Sequence, residues 1–323
     1  MTEFDLIARY FTRATPSTAL GVGDDAALLR VGAGMEMAVS TDMLVSGTHF
    51  FPDADPYLLG RKTLAVNLSD MAAMGATPRW ATLALSLPQV DEAWLQKFSA
   101  GFFSMADAHR VELVGGDTTR GPLNLCVSIM GEVPAGAALR RAGAQAGDDI
   151  WVSGRLGSAA LALAHLQGVL KLTDEAFNTC APALHDPQPR VVLGLALRGI
   201  AHSAIDVSDG LLADLGHILT CSKVGAEIQF DALPVSDVLR IHPENDGFLK
   251  ERVVQRCILA GGDDYELCFT APLARRSAVE DVSIKINLPL TRIGSIVAKS
   301  GCIVRATDGN ILKIGKAGYD HFS

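Results

Sequence analysis

Two carboxylates stand side by side at Asp24-Asp25, directly after Gly21-Val22-Gly23 and before the apolar run Ala26-Ala27-Leu28-Leu29. Glycine lets a backbone turn sharply and approach a ligand closely. Adjacent aspartates repel one another unless a positive charge lies between them, so such a pair either faces water or holds a cation. The pattern returns at Ser40-Thr41-Asp42, Ser69-Asp70, Gly115-Gly116-Asp117-Thr118-Thr119, Asp206-Val207-Ser208-Asp209-Gly210 and Gly261-Gly262-Asp263-Asp264. Taken singly, each reads as a turn or a helix cap. As a set they suit hard cations held by oxygen. Mg²⁺ takes one or two carboxylates and fills its other positions with water and phosphate oxygens.

Other phosphate-handling devices are missing from the sequence. Gly21-x-Gly23-x-x-Ala26, with Asp42 about twenty residues further on, has the spacing of a dinucleotide fingerprint. However, Gly32 and Gly34 leave no room for the required helix, and Asp24 and Asp25 would face the pyrophosphate. There is no Gly-x-x-x-x-Gly-Lys-Ser/Thr loop, no His-Arg-Asp and no Asp-Phe-Gly. No Ser/His/Asp triad emerges from spacing. If the chain handles nucleotide phosphates, cations on carboxylates must do the neutralising. Gly116-Asp117-Thr118-Thr119 then supplies amides and hydroxyls beside one carboxylate. Gly154–Gly157, ahead of a helix, reads either as an anion-binding helix start or as a plain strand-to-helix turn. Arg140-Arg141 reads as a phosphate clamp or a solvated pair, and His49 as a loop histidine.

These residues must be positioned by a chain of 323 residues, long enough for two domains. Hydrophobic residues make up 49% and charged residues 20%, the balance of an ordinary globular protein. A net charge of −8 argues against binding a nucleic-acid backbone. The six cysteines form no Cys-x-x-Cys and read as reduced core thiols of a cytoplasmic protein. No basic-then-apolar leader opens the chain, and no membrane-length apolar run interrupts it.

Phe4, Ile7, Tyr10 and Phe11 predict an opening amphipathic helix over residues 3–12. Strands are expected at Ala26–Val31, Met35–Ser40, Trp80–Leu87, Val111–Val114 and Leu123–Val133. Helices are expected from Asp55-Pro56 to about Gly75, carrying Asn67 and Asp70, and over Glu92–His109. This makes an α+β N-terminal domain, residues 1–136, with a small-residue linker over 134–149. The remainder, residues 137–323, reads as an α/β domain. Its strands are expected at Ile150–Ser153, Ala204–Val207, Tyr265–Thr270 and, several short ones, between Ile284 and Ile314. Its helices are expected at Ala159–Gln167, Arg190–Ala201 and Ser208–Cys221.

Together these motifs resemble the thiamine-monophosphate kinase family. The resemblance is carried by Gly-Val-Gly-Asp-Asp-Ala-Ala-Leu-Leu, Ser-Thr-Asp-Met-Leu-Val-Ser-Gly-Thr-His-Phe, Ala-Val-Asn-Leu-Ser-Asp-Met-Ala-Ala-Met-Gly-Ala, Gly-Gly-Asp-Thr-Thr-Arg-Gly, Ile-Asp-Val-Ser-Asp-Gly-Leu and Gly-Tyr-Asp-His-Phe. They stand in the family's order from Phe4 to Phe322. The resemblance implies an α/β fold of two domains shared with aminoimidazole ribonucleotide synthetase and selenophosphate synthetase. In that fold the N-terminal sheets of two copies pair into a barrel across a homodimer. It implies transfer of the γ-phosphoryl of ATP onto thiamine monophosphate, with several Mg²⁺ ions.

By the same resemblance the divalent-metal ligands fall on Asp25, Ser40, Thr41, Asp42, Asp70, Asp117, Asp206 and Asp209. ATP contacts fall on Gly116, Asp117, Arg141 and Ser208, and thiamine-phosphate contacts on His49, Asp263 and Tyr319. Where the family usually has Gly-Gly-Glu-Asp-Tyr-Glu, Asp263 replaces the first glutamate, a side chain one methylene shorter. The chemistry agrees with the residues present. A phosphate acceptor with a second pKa near about 6 is already ionised, so no strong general base is needed. The obstacle is bringing two polyanions together, which cation charge and positioning overcome. Two other readings remain open: the same fold with another acceptor, such as a carbonyl or selenide, and a non-catalytic sensor of nucleotide or thiamine phosphate.

Overall fold

The computed structural model describes residues 2–240, 247–306, 308–312 and 318–319. The chain divides into two compact units, Met1–Met71 with Ala76–Ala138, and Ala72–Gly75 with Leu139–Ser323. The first unit runs α1 (Glu3–Tyr10), β1 (Met35–Val45), α2 (Pro56–Ala73), β2 (Thr77–Leu87), α3 (Glu92–His109), β3 (Glu112–Arg120) and β4 (Asn124–Pro134). Its sheet has the order β1-β4-β2-β3, so β1 and β3 are the outer strands. Pairing is antiparallel except between β2 and β3. A parallel pair needs a crossover, which α3 supplies.

Strand side chains alternate between two faces. Leu125, Val127 and Ile129 of β4 share rows with Leu85, Leu83 and Ala81 of β2, and all are buried. Ser40 and Asp42 of β1 pair with Ile129 and Val127 in the same rows, on the face that carries α2. The opposite face of β1 shows Met37, Val39 and Met43 exposed.

The second unit runs β5 (Asp149–Ser153), α4 (Ser158–Leu166), α5 (Asp174–His185), α6 (Val191–Leu197), β6 (Ser203–Asp206), α7 (Leu211–Ser222), β7 (Gly225–Gln229), α8 (Gly247–Ala260), β8 (Leu267–Ala271), α9 (Arg276–Ile286), β9 (Leu290–Val297) and β10 (Gly301–Arg305). Its sheet has the order β10-β7-β9-β5-β8-β6, and only β10 and β7 run parallel. One core is formed by Ile150, Val152, Ile205, Ile218, Ile228 and Ile293 together with α4 and α7.

Several sequence expectations are corrected. Ala26–Val31 is not a strand; a single Leu20–Leu28 bridge closes this loop, and Leu28 is 59% exposed. Apolar content alone does not make a strand where no neighbour covers it. β1 continues through Thr41 and Asp42 to Val45, and Gly115–Arg120 lies within β3 and not in a loop. The expected helix at Ser208 begins at Leu211, because the preceding amides are bonded elsewhere. The expected helix at Arg190–Ala201 shortens to Val191–Leu197, and the tail strands are β9 and β10, with residues 313–314 outside those described. No helix among the described residues is long and apolar enough to cross a membrane.

Candidate active site

In the first unit, β1 and α2 together hold the carboxylates. Asn67 and Asp70 lie three residues apart on α2 and therefore on one side of the helix. Ser40 Oγ donates to Asp70 Oδ2 at 2.5 Å. The amide of Asp42 donates to Asn67 Oδ1 at 3.2 Å, while Asn67 Nδ2 donates to the Thr63 carbonyl at 3.1 Å. Asn67 is 1% exposed, so this small relay is sealed from water. The structure thus brings Ser40, Asp42 and Asp70 together. Thr41 points to the other face, where its hydroxyl meets Ser128 Oγ at 2.8 Å.

Gly116 and Asp117 stand on β3 opposite Leu83 and Ala84. Gly116 has φ +153°, and a Cβ there would run into the Leu83 carbonyl, so no other residue fits this approach. Two strands separate β3 from β1. At about 4.8 Å per strand, Asp42 and Asp117 of one chain lie roughly 14 Å apart. Asp25 is exposed in the Leu20–Leu28 loop, and its amide donates to Asp24 Oδ1. His49 closes a turn on β1: its Nδ1 accepts the Val45 amide at 3.0 Å. The neutral ring therefore carries its proton on Nε2.

In the second unit three segments are sewn together by main-chain bonds. β6 ends at Asp206, and the loop Val207–Gly210 leads into α7. The amides of Asp263 and Tyr265 donate to the Ser208 and Val207 carbonyls at 2.9 and 2.8 Å, and the Tyr319 amide donates to Asp209 O at 3.1 Å. Gly262 packs on the Ser208 carbonyl, where a Cβ would clash. Asp206, Ser208, Asp209, Asp263 and Tyr319 are thus gathered from distant parts of the sequence. Asp320, His321 and Phe322 of the Gly-Tyr-Asp-His-Phe motif lie outside the described residues.

Asp263 and Tyr265 adopt φ of +67° and +49°. Non-glycine residues in this region are uncommon and cluster at functional sites. The loop is held there by its other two acids. Asp264 accepts the Gly157 amide at 2.8 and 3.0 Å. Burial, and then the charges of Glu266 and Asp263, hold its carboxyl well above the usual carboxylate range. Glu266 is gripped by Arg190 through Nε at 2.6 Å and Nη2 at 2.5 Å, and by Ser153 Oγ at 2.5 Å. The Gly157 amide is therefore occupied by the chain's own carboxylate, which favours the strand-to-helix turn for the Gly154–Gly157 stretch.

Arg141 is exposed. Its carbonyl accepts from Ser222 Oγ at the C-terminal end of α7, whereas Ser208 precedes the N-terminal end. A twelve-residue helix is about 18 Å long, so the structure does not bring Arg141 and Ser208 together within one chain.

Among the described residues no three His, Cys, Asp or Glu side chains form a ready-made metal cluster. Mg²⁺ does not need one, since one or two carboxylates with water and substrate oxygens suffice. The donors gathered here are oxygens, carboxylate and hydroxyl, and they fit a hard cation.

Sequence reasoning notes Asn67 and Asp264 without giving either a role, and passes over Asp214, Glu266 and Arg190. Asp214 has a legible signal: an acid in the first turn of a helix that follows Asp-Gly. Burial, and then the Asp206 and Asp209 charges, push its carboxyl up to about 7.

Comparison with known proteins finds relatives over the full chain. Residues 23–133 match the family model described as AIR synthase related protein, N-terminal domain. The chain is 48% identical over 327 residues to the thiamine-monophosphate kinase of Escherichia coli K12, covering 99% of this chain and 98% of that one. It resembles the crystal structure of thiamine-monophosphate kinase from Stenotrophomonas maltophilia K279a, with a TM-score of 0.83, 49% identity and 96% of each chain covered. A structure of AaThiL complexed with AMPPCP and TMP superposes with a TM-score of 0.77 at 28% identity, covering 99% of this chain and 96% of that chain. The chain belongs to the thiamine-monophosphate kinase family.

Proposed function

We propose that this chain transfers the γ-phosphoryl group of ATP directly onto thiamine monophosphate, giving thiamine diphosphate and ADP, for thiamine diphosphate biosynthesis. One observation carries the reading: the full-length likeness to thiamine-monophosphate kinases, one of them solved with AMPPCP and TMP. The gathered oxygen donors are what such a reaction needs. Asp25, Ser40, Thr41, Asp42, Asp70, Asp117, Asp206 and Asp209 would hold several Mg²⁺ ions, which when bound neutralise the charge of two facing polyanions. Gly116, Asp117, Arg141 and Ser208 bind ATP in this reading. His49, Asp263 and Tyr319 orient thiamine monophosphate in this reading. The acceptor phosphate is already ionised, so the protein supplies no general base and forms no phosphoenzyme.

One separation within one chain supports a homodimer. Asp42 and Asp117 lie on opposite outer strands, too far apart for one ion, and each outer strand offers an open edge. Pairing β1 of one copy with β3 of another would bring the strand that carries Asp42 against the partner strand that carries Asp117 and close the two sheets into a barrel. That closure also covers the exposed Met37, Val39 and Met43 face. The six unpaired cysteines fit a cytoplasmic protein. Neither nucleic acid nor membrane is a partner in this reading.

ADP release, measured with thiamine monophosphate and with other phosphate, carbonyl and selenide acceptors, with and without Mg²⁺, tests the proposal. It predicts release with thiamine monophosphate and Mg²⁺ only. Release with another acceptor alone, or binding of both ligands without ADP, would overturn it.

A further inference from the structure

The loop Val207–Gly210 permits a complete account of its main chain. The Val207 amide donates to the Glu266 carbonyl at 2.8 Å. The next three amides all converge on one atom: Ser208, Asp209 and Gly210 donate to Asp214 Oδ2 at 3.1, 3.1 and 3.0 Å. The four carbonyls accept from Tyr265, Asp263, Tyr319 and Asp214. Every main-chain polar group of the loop is satisfied inside the fold.

Three successive amides converging on one oxygen is the arrangement by which glycine-rich turns cradle a phosphate. Here the cradle is filled from within by a side chain that is 3% exposed. Amides spent on Asp214 cannot reach a nucleotide. What the loop can offer a ligand is the side chains of Asp206, Ser208 and Asp209, which are oxygen donors.

We propose that Asp214 is the positioning residue of this loop: by collecting the three amides on a buried oxygen, it fixes the turn as one that presents oxygens to a cation. Asp214 itself touches neither substrate nor cation. The proposal rests on the phosphoryl-transfer reading for its kinetic consequences but not for its geometric one. It also accounts for the helix start, since α7 begins only once the three amides have been used.

The test compares Asp214→Ala, which removes the acceptor, with Asp214→Asn, which keeps an oxygen of the same reach. In ligand-free, metal-free protein, amide hydrogen exchange of the peptide spanning residues 207–210 should rise roughly tenfold or more in Asp214→Ala, with β8 and β9 unchanged. In Asp214→Asn it should rise less. With Mg²⁺ and AMPPCP, calorimetry should show binding to Asp214→Ala weakened by roughly tenfold or more, with partial recovery in Asp214→Asn. Turnover should fall in the same order, with the Mg²⁺ concentration needed for half-maximal rate raised. Unchanged exchange at 207–210 in the alanine variant would overturn the proposal. So would an asparagine variant no better than alanine in exchange and binding. If Asp214→Ala does not fold, the same readings on Asp214→Asn against the parent decide: local acceleration supports the role, and its absence refutes it. Inactivity of the parent chain would count against the kinase reading alone, since the exchange experiment needs no turnover.

Discussion

Asn67 Oδ1 accepts the backbone amide of Asp42 at 3.2 Å, so a buried side chain on a helix fixes the main chain of an acidic residue on a strand. The partner Nδ2 is pinned by the Thr63 carbonyl, which sets the orientation of the amide group. Asn67→Ala leaves that strand amide without its acceptor inside the protein. A cost of about 1–3 kcal/mol in urea unfolding is expected. Turnover should drop by roughly tenfold or more through loss of alignment. A variant with parent-like stability and turnover would show that the relay positions nothing.

Glu266 illustrates how a buried acid depends on its cation. Arg190 contacts both of its carboxylate oxygens, and the Glu266 side chain is 6% exposed. Arg190→Met strands this charge and should cost roughly 3–5 kcal/mol. Adding Glu266→Gln should recover much of the loss in the same denaturant titration. If the double variant is no more stable than the single one, the pair is not coupled in this way.

Asp264 should give the metal-free protein a pH dependence of definite sign. Its folded carboxyl titrates well above the unfolded value of about 3.9, with burial as the main cause. The folded state therefore holds a proton that the unfolded chain releases. This contribution to stability is complete below the unfolded value and is lost as pH rises through the folded one. Asp264→Asn keeps an oxygen for the Gly157 amide but does not titrate. Relative to the parent, the variant should gain stability as pH rises above the unfolded carboxylate value in parallel urea titrations. A parent-to-variant difference that stays constant, or falls, would contradict the assignment.

Thiol reactivity should sort by burial. Cys221 is exposed, whereas Cys180, Cys257 and Cys268 are buried. Burial, then the Asp264 charge, pushes the Cys257 thiol up to about 12, and burial raises Cys180 and Cys268 as well. Since the thiolate is the reactive form, Cys221 should be modified first by a thiol reagent at neutral pH. The three buried thiols should react only on unfolding. Mass spectrometry after brief labelling distinguishes the order.

Legibility in the sequence followed locality. α3 occupies Glu92–His109 as its pattern indicates, because the Asp91 cap and the core spacing of Leu95, Phe98 and Phe102 are local signals. α5 passes unnoticed because Pro182 lies inside it and reads locally as a break. Ala26–Val31 misleads in the opposite direction, apolar but uncovered in one chain. The candidate site divides the same way. Its aspartates stand out by their Gly, Ser and Thr neighbours, but their wiring does not. Asp214 carries a local signal, an acid in the first turn of a helix after Asp-Gly, but nothing near Gly157 announces its bond to Asp264, more than a hundred residues away. Long-range hydrogen bonds leave no periodicity to read.

The separation of Asp42 from Asp117 across the sheet bears most directly on how the site is assembled. Co-expressed under two tags, Asp42→Asn and Asp117→Asn chains can be purified as a mixed dimer. In a two-fold assembly with shared sites, one site of that dimer carries both substitutions and the other carries neither. Each parent variant should be nearly inactive alone, and the mixed dimer should turn over thiamine monophosphate at about half the unsubstituted rate. A mixed dimer as inactive as its parents would mean that both aspartates serve within one chain, contradicting the shared site.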